Sequence, residues 1–552
     1  MNLPLAFGSF LFFTGLVGFI SWRRTRTLDN RDAQNYFLAG RKLPWIQVAG
    51  ALLLTNLSTE QLLGLNGAAS LHGMQVMAWE IIPVFALIAM AWWFLPRYWL
   101  GNITTVPQFL EQRFDRMTRL LMGAVMLITL VFNLLPFVLY SGGVAMSSVF
   151  HVPQLLGISE QSSLMLMAAL IALCGGIYVV FGGMKAVALS DTLYGVGLLV
   201  AGFVIPFLGL IKLGDGDFGA GLARVLEHQA PKINPAGAAG SNVPFSTLFT
   251  GMMFINLFYW CTNQLIVQRS FGASSFAEAQ KGVIATAALK LLGPFYLVFP
   301  GIIALEMFGA AAIGNGDMAY AQLVDAVLPG WMVGFFAAVL LGAIVSSFNG
   351  GLHSAATLFS LDLYRALLRR DSDERQMLRA GKIFAVVVCV LTLLTCPLLG
   401  GAPEGVFTLM KRLMAAFKLP LLAVVVAGIM SPRVPSWSAK TALIGGVCTH
   451  FLLEWLFGHG RAGVTIHWLH LSAINVVMLC AFMLTASRFA RVEPAAVAVA
   501  GNGAHGGSHL SAAERVRAEL KPWSGLPAAS IAVAAAAILL YVGLWLVARA
   551  QG

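Results

Sequence analysis

Long apolar stretches dominate the chain, separated by polar breaks at intervals that suit a lipid bilayer. A helix needs about 20 apolar residues to cross the hydrocarbon layer. Fourteen stretches qualify, near 4–22, 44–68, 73–95, 119–149, 163–183, 188–211, 245–268, 282–308, 331–363, 383–400, 404–430, 437–457, 468–487 and 526–548. Short alternating segments of about ten residues, the mark of a membrane barrel, do not occur. The pattern predicts an all-α integral membrane protein of about 14 transmembrane helices. The first stretch has no basic leader and is followed by Arg23, Arg24 and Arg26, so it reads as a span rather than a cleavable signal. No separate soluble domain is visible in the longest polar connections, about 212–244, 309–330, 364–382 and 491–525. An interfacial helix is predicted in "NITTVPQFLEQRFDRMT" (102–118). A Gly-rich piece and then a short basic amphipathic helix are predicted in "GNGAHGGSHLSAAERVRAELKP".

Composition agrees: 58% of residues are hydrophobic and 11% charged, against roughly 25% charged in a soluble domain. The net charge of +11 would suit nucleic acid if it were clustered, but it is spread by loop. With the N-terminus outside, the basic residues at 23–42, then Arg97, Arg113, Arg116, Arg119, Lys185, Arg269 and Lys281, fall on cytoplasmic connections. So do those at 365–382, Arg433, Lys440 and those at 488–521, whereas only Lys212, Arg224, Lys232, Arg461 and Arg549 face outward. Basic residues stay cytoplasmic in short loops, so both termini are predicted on the outer face and no nucleic-acid partner is expected. Cys174, Cys261, Cys389, Cys396, Cys448 and Cys480 all fall within spans without a CxxC pair, which argues for small core residues. His467 with His470, and His505 with His509, have no carboxylate partners, and no metal site is expected there.

The informative positions are polar residues inside spans. "TNLSTEQLLGLNG" (55–67) puts Asn56, Ser58, Thr59, Glu60 and Gln61 near the middle of the second stretch. A charge at that depth is costly. Interhelical hydrogen bonding explains Ser58 and Thr59 but not Glu60 beside Gln61. A broken helix lining a cavity explains the whole run. Glu80 in "MAWEIIP" is a second such position. Asn256, Tyr259, Trp260, Asn263 and Gln264 interrupt the seventh stretch in "FINLFYWCTNQ". Lys290 in "ATAALKLLGPF" is a lone cation about a third of the way along its helix, a depth that function explains better than snorkelling. Asp191 in "ALSDTLYG" lies near the start of its stretch, where an N-terminal cap is an equal reading. In "GAIVSSFNGGLHSAATLFSLDLYR", Ala343, Ser346 and Ser347 supply small and hydroxyl groups, which leaves both an ion site and tight helix packing open.

These residues carry a resemblance. "NYFLAGRKLPWIQVAGALLLTNLSTEQLLGLNG", "NLFYWCTNQLIVQR", "AEAQKG" and "AAVLLGAIVSSFNGGLHSAATLFSLDLYR" are similar to the sodium/solute symporter family, its bacterial sugar-cotransporter branch above all. The resemblance spans about Asn35 to Arg491. It implies a bacterial inner-membrane carrier with a five-plus-five inverted-repeat core. The repeats would occupy 44–211 and 245–430, with an extra N-terminal helix at 4–22 and further helices at 437–548. It implies sodium, co-transported, between the broken first core helix and the eighth, at the carbonyls of Leu54, Leu57 and Ala343 and the hydroxyls of Ser346 and Ser347. The sugar-contacting positions fall on Gln61, Glu80, Asn256 and Lys290, with Asn56 and Glu60 beside them. Tyr259 falls at an aromatic inner gate and Asp191 at a residue that assists ion release. Two positions depart from the branch: Pro83 replaces a ligand-touching Ser, and Lys411 with Arg412 replaces polar or acidic residues.

The expected activity is therefore sodium-coupled symport of a small polar solute, most simply a monosaccharide, without catalysis, since no nucleophile–base pair stands out. Lys411 in the cavity would instead suit an acidic sugar or a monocarboxylate; Lys411 at an outer vestibule would not. A solute-sensing membrane protein is the expectation from another functional class.

Overall fold

The computed structural model describes residues 3–25, 33–57, 59–314, 316, 319–368, 373–399, 406–458, 461, 463–490 and 520–551. The main helices are α1 (Leu3–Thr25), α2 (Trp45–Asn56), α3 (Thr59–His72), α4 (Ala78–Ala89), α5 (Val106–Arg113), α6 (Arg116–Thr129), α7 (Leu135–Val149), α8 (Glu160–Ile177) and α9 (Gly183–Leu213). They continue with α10 (Gly251–Cys261), α11 (Gln264–Phe271), α12 (Phe276–Lys290), α13 (Phe299–Phe308), α14 (Gly330–Thr357), α15 (Glu374–Thr395), α16 (Val406–Met430), α17 (Ser436–Leu453), α18 (Trp468–Phe489) and α19 (Leu526–Gln551). Among the described residues the only extended pairing is a single parallel bridge, Leu43 to Ala273. It ties the entry of α2 to the exit of α11.

Among the described residues nine helices are long and apolar enough to cross a membrane, ten if the bent pair Phe276–Lys290 and Pro294–Phe308 counts as one span. Phe7–Ser21, Trp45–Asn56, Gly251–Cys261 and Met414–Met430 are shorter apolar helices. One of the nine, Gln61–Leu100, runs for 40 residues, about twice what a bilayer needs. Gly73 divides it, with φ of +78° and no room for a Cβ, which would stand 2.4 Å from the Lys232 carbonyl oxygen. The chain turns there from the second predicted stretch into the third.

Proline accounts for three of the six π-turns among the described residues. π-turns at Met90–Phe94 and Leu130–Leu134 end two residues before Pro96 and Pro136, and the one at Pro294–Val298 starts on a proline. The missing N–H and the ring clash loosen the ladder one turn upstream. The span containing α12 bends by 45° at this point.

α2 packs between α9 and α12, and α14 lies against both α1 and α9. The most apolar window of α14 is 78% buried and that of α19 only 6%, so α14 is a central pillar and α19 a peripheral helix. The predicted interfacial helix forms as α5, opened by a capping box of Thr105 and Gln108. Its Arg113 is buried, donating to the carbonyls of Gly428 at 2.9 Å and Ser431 at 2.5 Å, which clamps α5 to the end of α16. The predicted basic amphipathic helix near 511–521 lies almost wholly outside the described residues, as do His505 and His509.

Candidate functional site

The run that interrupts the second apolar stretch is a helix break. α2 ends at Asn56, and Leu57 stands outside both helices with φ −82° and ψ +89°, its N–H closing on the Leu53 carbonyl at 2.9 Å. At such an end the last carbonyls lose their i+4 donors and become available to other partners. A second break falls in the seventh stretch, between α10 and α11. There Asn263 caps α11 by accepting from the Leu265 N–H at 3.3 Å. Gln264 accepts from the Val106 N–H at 2.9 Å, so it holds the start of α5.

One hydrogen bond joins the first break to α14. Ser347, in α14, donates to the Thr55 carbonyl at 3.3 Å. Ser346 Oγ is buried without a hydrogen-bond partner. Ala343, Leu54 and Leu57 are buried in the same core. Neutral hydroxyl and carbonyl oxygens of this kind suit a hard monovalent cation.

A buried ion pair meets the break through Asn56. Lys290 Nζ donates to Asn56 Oδ1 at 2.5 Å and to Glu80 Oε2 at 2.6 Å, with all three side chains buried. The ammonium also lies 5.7 Å from the Trp260 ring centroid. Gly293 makes room for this pair, since a Cβ there would stand 2.5 Å from Glu80 Oε2. Two buried opposite charges with further hydrogen bonds can persist in a low-dielectric interior, where either one alone is strongly destabilising. Gln61 Oε1 is buried with no hydrogen-bond partner, and Asn256 Nδ2 donates back to the Met252 carbonyl at 2.9 Å.

A cavity of about 50 Å³ sits against the break, lined by Thr55, Asn56, Tyr259, Ser347 and Lys418 with apolar neighbours. It is too small for a monosaccharide, so admission of one requires helices to move apart. Of the sequence-predicted residues, Asn56, Glu80 and Lys290 are brought into direct contact, and Asn56, Tyr259 and Ser347 share the cavity wall. The side chains of Glu60 and Lys411 lie outside the described residues.

Two charged residues were missed by sequence reasoning. Lys418 lines the cavity and lies 5.8 Å from the Phe258 ring centroid. Its signal was its depth, well inside the 404–430 stretch, where an ionisable residue is functional by default. Arg269 was read as a loop cation, yet it is 1% exposed in the core, with Nε donating to Thr55 Oγ1 at 3.2 Å. The cap reading of Asp191 does not hold: α9 begins at Gly183, so Asp191 lies two turns inside the helix, buried beside Arg269. His470 bonds Ser246 and Thr250 at 3.1 and 2.9 Å, which ties α18 to the segment before α10.

The chain matches the family model described as Sodium:solute symporter family over residues 36–447. It is 39% identical over 540 residues to the uncharacterized symporter YidK of Escherichia coli (strain K12), covering 97% of this chain and 90% of that one. It is 31% identical to a sodium/glucose cotransporter of Vibrio parahaemolyticus, covering 79% and 81%. To the sodium/myo-inositol cotransporter 2 of Mus musculus it is 27% identical, covering 87% and 76%. In fold it resembles a solved Na+-coupled sialic acid symporter in a substrate-bound outward-open state, with a TM-score of 0.72 at 19% identity, covering 89% of this chain and 99% of that one.

Proposed function

We propose, from the premise that this chain belongs to the sodium:solute symporter family, that it carries a monosaccharide inward together with sodium by alternating access. Sodium-coupled symport of a small solute through a multi-pass membrane protein is the activity of the family, and the relatives are transporters rather than enzymes. The finer assignments are our reading. Sodium is held by the carbonyls of Leu54, Leu57 and Ala343 and the hydroxyls of Ser346 and Ser347. The solute is held by Gln61, Glu80, Asn256 and Lys290, with Asn56 beside them and Tyr259 closing the inner side. The two repeats occupy 44–211 and 245–430 in the bacterial inner membrane, with both termini outside.

One observation carries this reading. Adjacent residues at a single break, Thr55 and Asn56, make separate contacts: Thr55 meets Ser347, and Asn56 meets the Lys290–Glu80 pair. Ordering the break around an ion therefore also orders the solute groups, which is a coupling free energy between two sites. Each sodium crossing 100 mV contributes about 2.3 kcal/mol, close to fifty-fold enrichment of solute before the ion gradient is counted.

The cation Lys418 on the cavity wall favours a second reading, symport of an acidic sugar or another organic anion. A ligand-stabilisation screen separates the two. Purified protein is melted with neutral hexoses, inositols, uronic acids and monocarboxylates, each with sodium and with potassium. Stabilisation by a neutral sugar only in sodium supports the first reading; stabilisation by acids alone replaces it with the second.

A further inference from the structure

Arg269 lies inside the core of the carrier, and the reading above leaves it without a role. Its guanidinium touches three places. Nε donates to Thr55 Oγ1 at 3.2 Å, Nη1 rests on Met184 Sδ at 3.5 Å, and Nη2 stops 3.7 Å short of Asp191 Oδ2. That last gap exceeds hydrogen-bond reach. By distance and angle neither Asp191 oxygen, nor Arg269 Nη2, nor Ser346 Oγ completes a well-formed hydrogen bond, although all three residues are at most 2% exposed. Ser346 is near enough to bear on the Asp191 carboxylate. Buried polar groups are almost always paired, and a buried carboxylate without donors is costly. A buried carboxylate and guanidinium that stop 3.7 Å apart beside the Ser346 hydroxyl, short of full pairing, therefore need an explanation. Helix packing does not supply one. Gly350 leaves the space in which Nη2 sits, since a Cβ there would stand 2.9 Å from it.

We propose that Arg269 promotes sodium release by taking the place of the ion at Asp191, the carboxylate that the resemblance already expects to assist ion release. The proposal rests on the sodium site assigned above to Ser346 and Ser347. Closing 3.7 Å to a charge-assisted contact of about 2.8 Å needs a movement of about 1 Å, within the range of a side chain pivoting on its Thr55 contact. With sodium at Asp191 the two cations repel, and Arg269 stands off. As sodium departs, Arg269 closes on Asp191 and removes the attraction that would draw the ion back. Because Arg269 also holds Thr55, the same movement acts on the last turn before the Leu57 break. Arg269 thus acts as a tethered competitor, which lowers sodium affinity and speeds release to the cytoplasm.

The test is direct equilibrium binding and release of ²²Na by the purified full-length protein, with sodium alone as the probe. Arg269→Gln is expected to bind sodium at least fivefold more tightly and release it more slowly. Arg269→Lys, which keeps the charge but shortens the fork, is expected to bind about two- to threefold more tightly. In an Asp191→Asn background, Arg269→Gln is expected to change sodium affinity by less than twofold, because the contested anion is gone. Equal or weaker sodium binding in whichever single variants fold, or an undiminished effect of Arg269→Gln without Asp191, overturns the proposal. Unchanged sodium binding in Ser346→Ala/Ser347→Ala is a different failure: it removes the sodium site itself, and the role of Arg269 with it.

Discussion

Removing Lys290 by Lys290→Met leaves the Glu80 carboxylate buried without the ammonium that donates to it at 2.6 Å. It also frees Asn56 Oδ1, held at 2.5 Å by the same group. Removing one member of a buried ion pair costs about 3–5 kcal/mol, whereas replacing both by neutral groups of similar shape is often close to neutral. Glu80→Gln alone is expected to fall at the lower end of that range, since its amide oxygen still accepts from Lys290. For a chain of this size the larger cost lowers the melting temperature by on the order of 5 °C. Glu80→Gln/Lys290→Met should recover most of that loss, because no charge remains. Solute binding should not recover with it, since Asn56 on the cavity wall has lost its anchor in the double variant too. The assay is thermal unfolding of the purified protein followed by intrinsic fluorescence, beside binding of labelled solute to the same preparations. Strictly additive losses in the double variant would refute the pair as a coupled unit. Recovery of solute affinity together with stability would refute the positioning role of Asn56.

Three further outcomes follow from the same geometry. Ser346→Ala/Ser347→Ala should raise the sodium concentration for half-maximal uptake at least tenfold, as two oxygen ligands are lost; unchanged sodium dependence in folded protein places the ion elsewhere. Gln61→Ala or Asn256→Ala should weaken solute affinity about five- to a hundredfold, from the roughly 1–3 kcal/mol of an unpaired buried group, while sodium binding survives; normal solute binding in both moves the solute site. Lys418→Gln should leave competition by neutral hexoses intact; competition by uronic acids that disappears in Lys418→Gln, with hexoses inert throughout, identifies an anion carrier.

How far the sequence carried the reading differs by residue and for physical reasons. The break at Leu57 was legible because a run containing Glu60 and Gln61 has no business in lipid unless the helix opens. Lys290 was legible for the same reason, as a lone cation at depth. Its neighbours Glu80 and Asn56 came from the resemblance and not from any local pattern, because they lie 210 and 234 positions away, and the packing of α12 against α2 and α4 brings them together. Arg269 was misplaced by the rule that located the loops. A cation at the end of an apolar stretch counts as cytoplasmic, but α11 folds back into the core with every residue buried. Asp191 was ambiguous because the start of α9 could not be fixed from sequence: "FGGMKAVALSD" carries no clear cap, and the helix begins two turns before the carboxylate. Lys418 was overshadowed by Lys411, seven residues earlier, because Lys411 departed from the family pattern.

The central claim is that solute movement is driven by sodium. It is tested most directly by uptake into proteoliposomes containing only this protein, using the solute that stabilises it best. With sodium outside and potassium inside, the solute should accumulate well above its external concentration, and Ser346→Ala/Ser347→Ala should sharply slow that accumulation at low sodium. Accumulation that is equally strong when potassium or choline replaces sodium, or simple equilibration without accumulation under a full sodium gradient, would contradict the account.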